Sequence, residues 1–105
     1  VEQAKEYIKQ NYSDTDLTLT TISNHLFISP SYFTYIFKKN TGSTFGTYLM
    51  KTRMEAAHKL LMDTSMKNFE ISERTGFSDP RYFSFCFKKH YGMTPSEYRK
   101  KNQAL

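Results

Sequence analysis

The stretch Ile71–Arg99 reads ISERTGFSDPRYFSFCFKKHYGMTPSEYR, and its reading decides the fold. Two short helices fit it, joined at Gly76-Phe77-Ser78. Ser78-Asp79-Pro80 is a helix-start signal, because a capping side chain precedes a proline whose fixed φ suits the first turn. The second helix places Phe83, Cys86 and Phe87 at the i, i+3, i+4 spacing of one buried face. Its other face carries Arg81, Ser84, Phe85, Lys88 and Lys89. A short helix, a glycine turn and a second helix that is half apolar and half basic predict a helix-turn-helix.

The same arrangement occurs twice. Ile22-Ser23 returns as Ile71-Ser72 and Ser29 as Ser78, 49 residues on. Tyr32-Phe33, Phe37-Lys38-Lys39, Gly42, Thr44 and Tyr48 return 50 residues on as Tyr82-Phe83, Phe87-Lys88-Lys89, Gly92, Thr94 and Tyr98, with Asp79 the one extra residue. In the first copy Thr18, Thr20 or Thr21 can cap a helix that turns Ile22 and Leu26 inward. Phe27-Ile28 is the turn. Ser29 caps the next helix and Pro30 opens it. That helix reaches about Thr41, buries Phe33, Ile36 and Phe37, and ends on Gly42.

The remaining segments frame the two copies. Val1 to Tyr12 keeps a helical rhythm through Val1, Ala4, Tyr7 or Ile8, and Tyr12. Asp14 to Thr18 is a polar connection. Ser43 or Thr44 caps a long helix to about Met62, with an apolar stripe of Phe45, Tyr48, Leu49, Ala56, Ala57, Leu60 and Leu61. About 18 residues at 1.5 Å each span roughly 27 Å. Major-groove faces on one side of DNA lie about 34 Å apart, so a rigid helix of that length can hold two reading helices near that separation. Ser96 to Asn102 forms the last helix. The expected fold is all-α, with seven helices: a first helix-turn-helix subdomain over 1–42, a linker helix over 43–62, and a second subdomain over 63–105.

Composition narrows the function. Of 105 residues 38% are apolar and 16% aromatic, supplied by eight Tyr and nine Phe, so a packed core is feasible. Fifteen Lys and Arg against ten Asp and Glu give a formal charge of +5, which favours an anionic partner. The charge is also patterned. Residues 36–60 hold five basic residues and one acidic, and 81–105 hold six and one, whereas 1–35 and 61–80 each hold two basic and four acidic. No run of 18 apolar residues exists, so no membrane partner is expected, and no signal peptide is visible. The single Cys86 suits a reducing cytoplasm. His25, His58 and His90 lack metal-ligand spacing with one another or with Cys86, so neither a metal nor a cofactor is expected. With no phosphate loop, paired-carboxylate site or nucleophile–base pattern, an enzyme is not expected. The chain opens at Val1 already in helical rhythm, and we expect a piece of a longer protein.

The ordered set Gly76-Phe77-Ser78-Asp79, Tyr82-Phe83-Ser84, Phe87-Lys88-Lys89, Gly92, Thr94-Pro95 and Tyr98-Arg99 resembles the signature of the AraC/XylS family of transcription regulators. With the internal repeat, the resemblance covers nearly the whole chain. AKEYIKQNY, STFGTYL and KNFEI look closest to one branch, the output domains of YesN-type two-component response regulators. The resemblance implies double-stranded DNA as partner, an N-terminal receiver or sensor domain outside this chain, and contact with RNA polymerase. Some positions depart from the family pattern. Phe27 stands where a small turn residue is common, which predicts a looser first turn. Ser23 and Ser72 replace Ala at a tight helix contact, and Asn68 replaces Ile or Val; these are expected to cost stability.

A recognition helix shows its first turns to base edges. The candidates are Ser31, Thr34 and Tyr35 in the first copy and Arg81, Ser84 and Phe85 in the second. Arg81 can pair with guanine O6 and N7, while the hydroxyls can serve bases or phosphates. Tyr35 and Phe85 occupy equivalent places where the family often has Arg or Lys. They can pack on thymine methyls, favouring A·T there, or fold back onto Tyr32 and Tyr82. Lys38, Lys39, Lys88 and Lys89 lie one turn further on, placed for phosphate contact or simply solvated. Arg53 either contacts phosphate or braces the linker against the first unit. Arg99, Lys100 and Lys101 can touch the DNA backbone or form a loose basic tail. The competing readings are a helical module that binds an acidic protein and a non-specific nucleic-acid binder.

Overall fold

Side-chain oxygens at the helix starts set the architecture. Thr18, Ser29, Thr44 and Thr94 each accept the N–H of the residue three positions on, at 3.2 Å in every case. Asp79 accepts the N–H of Arg81 at 2.9 Å. Each bond satisfies a donor that the first helical turn leaves without an intrahelical partner. Thr18–Thr21 and Thr94–Glu97 are reciprocal, since the third residue's side chain also accepts the cap residue's own N–H. The Glu97 carboxyl is held below its usual range, chiefly by the backbone N–H of Thr94.

The computed structural model describes residues 1–103, which form seven helices and no strand among them. These are α1 (Glu2–Asn11), α2 (Leu19–His25), α3 (Pro30–Thr41), α4 (Phe45–Asp63), α5 (Asn68–Arg74), α6 (Pro80–Tyr91) and α7 (Pro95–Gln103). The all-α, seven-helix expectation holds. The last two residues of the expected second subdomain lie outside the described residues. No described helix is long and apolar enough to cross a membrane.

Two compact units result, Val1–Thr52 and the chain from Arg53 onward. Ala4, Ile8, Leu17, Ile22, Phe33, Phe37, Phe45 and Leu49 form the core of the first. In the second, Met54, Ala57, Leu61, Ile71, Phe77, Phe83, Cys86 and Phe87 are buried. The division falls inside α4, which runs unbroken for 19 residues. Its first half therefore supplies core to one unit and its second half to the other. Ala57 and Leu61, four residues apart and buried, precede α5 much as Ala4 and Ile8 precede α2. Leu26 and Ile36, expected inside, are only half-buried because each sits at the border of its helix's apolar face.

The two helix-turn-helix turns carry the same hydrogen bonds. In the first, Leu26, Phe27 and Ile28 donate to Ile22, Asn24 and Ser23; in the second, Thr75, Gly76 and Phe77 donate to Ile71, Glu73 and Ser72. Both turns need a left-handed residue, supplied by Gly76 at φ 93° and by Phe27 at φ 58°. The first turn is thus not opened. It keeps its pattern by forcing a bulky residue into a conformation that suits glycine, with the Phe27 ring 94% exposed. The buried serines are also satisfied. Ser23 donates to the carbonyls of Leu19 and Thr20, and Ser72 to that of Phe77. Their hydroxyls therefore avoid the penalty of unpaired burial that their positions suggest. Asn68 donates to Ser96 on α7 at 2.8 Å, a polar tie in place of an apolar one.

Arg99 departs most from expectation. It neither trails in a basic tail nor is left for a phosphate. Its Nε and Nη2 donate to the Leu61 carbonyl at 3.2 Å, Nη2 also to Thr64, and Nη1 to Met66 at 2.7 Å. The guanidinium closes the C-terminal end of α4 and the loop that follows, where a cation also meets the negative end of the helix dipole.

Arg99→Ala is expected to lower the unfolding free energy by about 2–3 kcal/mol in urea titration, and Arg99→Lys to recover only part, since one ammonium cannot span three carbonyls. A loss below about 0.5 kcal/mol, the range of ordinary surface changes, would contradict the clamp. Phe27→Gly raises stability by about 0.5–1 kcal/mol by relieving the left-handed strain; a decrease would mean the ring contributes more than its exposure indicates.

Candidate nucleic-acid interface

Burial fixes which face of α3 and α6 is free. Phe33 and Phe37 on α3 are 2% and 1% exposed, and Phe83 and Phe87 on α6 are 1% and 0%. Edge-on and tilted rings hold them: Phe33 and Phe37 meet Phe45 at 5.9 and 6.4 Å, and Phe83 and Phe87 meet Phe77 and Tyr98 at 5.3 and 5.7 Å. A helix so anchored cannot rotate, and its opposite side must face solvent.

On α3 that side carries Ser31, Thr34, Tyr35, Lys38 and Lys39, all exposed. On α6 it carries Arg81, Phe85, Lys88 and Lys89, exposed, and Ser84, which is half-buried rather than fully solvent-facing. Ser84 follows the buried Phe83 directly, at the border of the packed face. Each helix also shows an exposed tyrosine one turn before its second aromatic, Tyr32 before Tyr35 and Tyr82 before Phe85. These large rings stay between 54% and 64% accessible.

The aromatic pairs differ in detail. Phe85 lies nearly parallel to Tyr82, at 6.5 Å and 18°, yet remains exposed. Folding back and staying available are therefore not exclusive for Phe85. Tyr35 has the Lys39 ammonium 5.7 Å from its ring centre. Thr34, Tyr35, Lys38 and Lys39 line an open depression of about 300 Å³. Hydrogen bonding to the Cys86 thiol holds the Tyr82 phenol above its usual range.

The lysines occupy the last turns of their helices, Lys38 and Lys39 on α3 and Lys88 and Lys89 on α6. There they also complement the helix dipole, so part of their role is local. The Arg81 side chain is 94% accessible, with Nε 3.6 Å from Asp79 Oδ1. Asp79 thus does more than start the helix, which is all that its place before Pro80 implies. Arg53 lies 5.7 Å from the Phe77 ring, a contact inside the second unit, whereas bracing against the first was one of the two roles expected of it. His58 bonds the Tyr98 hydroxyl at 2.9 Å and packs on Tyr91, joining α4, α6 and α7. Among the described residues no group of three His, Cys, Asp or Glu is arranged to hold a metal.

Comparison with known proteins gives this geometry its context. A family model described as a helix-turn-helix domain matches residues 22–101. The chain is 35% identical to the transcriptional regulator YijO of Escherichia coli over 100 residues, 95% of this chain and 35% of that protein. It spans about a third of the length of such curated relatives. It is similar to the C-terminal domain of the two-component response regulator YesN from Fusobacterium nucleatum, with 44% identity, a TM-score of 0.91 and coverage of 93% and 95% of the two chains. The fold is also that of the DNA-binding domain of AdpA in complex with a target DNA, at a TM-score of 0.92 and 22% identity over 98% of this chain and 92% of that one. With the family match covering most of its length and both helix-turn-helix units in place, the chain belongs to the AraC/XylS-type family of helix-turn-helix DNA-binding domains.

Proposed function

We propose that this domain binds double-stranded DNA sequence-specifically, laying α3 and α6 in successive major grooves of one duplex. The carrying observation is the duplicated helix whose phenylalanine face is buried and whose opposite face runs from small polar and aromatic residues to paired lysines. Ser31, Thr34 and Tyr35 face bases from α3, and Arg81, Ser84 and Phe85 from α6. Lys38, Lys39, Lys88 and Lys89 contact phosphates. Such contacts set register, while base-edge contacts specify sequence. The unbroken α4, 19 residues long, supports two grooves served by one chain, since a flexible tether would not fix their spacing. A neighbour of the same fold bound to its target DNA adds support.

The two reading sets differ, so the recognised site is asymmetric. Arg81 prefers a guanine. Tyr35 and Phe85 present aromatic rings and favour thymine through its methyl group. This domain acts in transcription regulation as the output domain of a response regulator, a reading supported by the similarity to the YesN C-terminal domain. A receiver domain encoded upstream in the same gene would bear this out, and a different upstream module would refute it. RNA polymerase is the partner proposed for activation, with co-purification on promoter DNA as the check.

Selection from random duplexes is expected to return one asymmetric site, and Arg81→Ala to lose preference at a single G·C position, worth about 1–3 kcal/mol. Replacing thymine by deoxyuridine opposite Phe85 should weaken wild-type binding but not Phe85→Ala. No enrichment would point to non-specific binding, and no DNA binding at moderate salt to a protein-interaction module. The joint change Lys88→Ala and Lys89→Ala should weaken all sequences alike and reduce the slope of log affinity against log salt by about one for each phosphate no longer neutralised. An unchanged slope would leave those lysines as solvated charges.

A further inference from the structure

In the structure Asp79, directly before Pro80, takes the capping place that Ser29 holds before Pro30, and the extra residue of the second copy is Ser78. In the first copy Ser29 caps α3 and Pro30-Ser31 follow, with neither a carboxylate nor an arginine at the reading end. In the second, Asp79 takes the cap and Arg81 stands two residues on. The carboxylate has two partners. Its Oδ1 accepts the backbone N–H of Arg81 at 2.9 Å. The same oxygen lies 3.6 Å from Nε of the Arg81 side chain. The backbone bond fixes the carboxylate against the start of α6, and the carboxylate in turn restrains the guanidinium. The contact is made through Nε, and no ion pair joins either terminal nitrogen of Arg81 to Asp79, so the pair that a bidentate acceptor needs is not taken up by the carboxylate.

We infer that Asp79 is a positioning residue for guanine recognition: it holds Arg81 so that its two terminal nitrogens meet O6 and N7 of one guanine. This rests on the base-reading role proposed for Arg81. The carboxylate has a cost that a merely structural cap would not have, because it stands in the negative field of the phosphates. Removing its charge therefore leaves affinity for arbitrary DNA unchanged or raised, while discrimination at the Arg81 position falls. Those opposite directions separate positioning from folding.

The test uses the selected duplex with either guanine or 7-deazaguanine, which lacks N7, at the position read by Arg81. Asp79→Asn and Asp79→Ser keep an acceptor able to cap α6; equal helicity and thermal midpoints verify that it does. Both variants are expected to lose about two- to fivefold of the guanine preference, the range of an exposed ion pair. Neither should weaken binding to a random duplex, and neither should change the preference further in an Arg81→Ala background. An undiminished preference in both variants overturns the inference, as does an equal loss with Arg81 already removed. If Arg81→Ala itself leaves the preference intact, the inference falls because Arg81 does not read that base. If the chain favours no duplex over another, it falls with the sequence-specific reading as a whole.

Discussion

Two phenylalanines four residues apart, once in each unit, govern everything that the surface can do. Phe33 and Phe37 on α3, and Phe83 and Phe87 on α6, are almost wholly buried. Truncating any one to alanine would cost about 3–5 kcal/mol in a core that collapses poorly. That energy opposes any rotation of the helix. The residues on the opposite side of each helix, Ser31, Thr34 and Tyr35 on α3 and Arg81 and Phe85 on α6, are consequently presented outward whatever their chemistry. A binding face can vary on such a scaffold without the fold responding, and here one copy shows Ser31, Thr34 and Tyr35 while the other shows Arg81, Ser84 and Phe85.

The second constraint is the sharing of α4. Phe45 and Leu49 belong to the core of the first unit, and Met54, Ala57 and Leu61 are buried in the second. A helix that is core on both sides of its midpoint is harder to fray than a bare connector of equal length. Its end is secured by a residue far along the chain, Arg99, which supplies donors to the carbonyls that the helix leaves open. Stability of the rod and integrity of the second unit are thereby coupled through one guanidinium.

Local chemistry makes most of the fold legible from the sequence. Ser29-Pro30, Ser78-Asp79-Pro80, Gly42 and Gly92 act through hydrogen bonds and backbone angles within a few residues, so their effect can be read from order alone. The repeat then places the buried phenylalanines. What cannot be read depends on distant partners. Arg99 sits in a basic run with Lys100 and Lys101, and nothing nearby tells that carbonyls more than 30 positions earlier await it. The approach of Arg53 to the Phe77 ring is hidden for the same reason. Ser72 looks like a packing fault until its hydroxyl meets the Phe77 carbonyl. Asp79 is legible as a cap, but its second role needs the direction of the Arg81 side chain. In the candidate site the outward positions follow from the helical period, whereas the half-burial of Ser84 and the Tyr82–Phe85 stacking require the packed surroundings.

One chain gripping one duplex with both reading helices is the claim on which the functional account turns. A hydroxyl-radical footprint of the one-to-one complex on a selected site tests it most directly. Two protected backbone segments about ten base pairs apart on the same face are predicted. A single protected segment at full occupancy would show that only one helix engages, and would contradict the account.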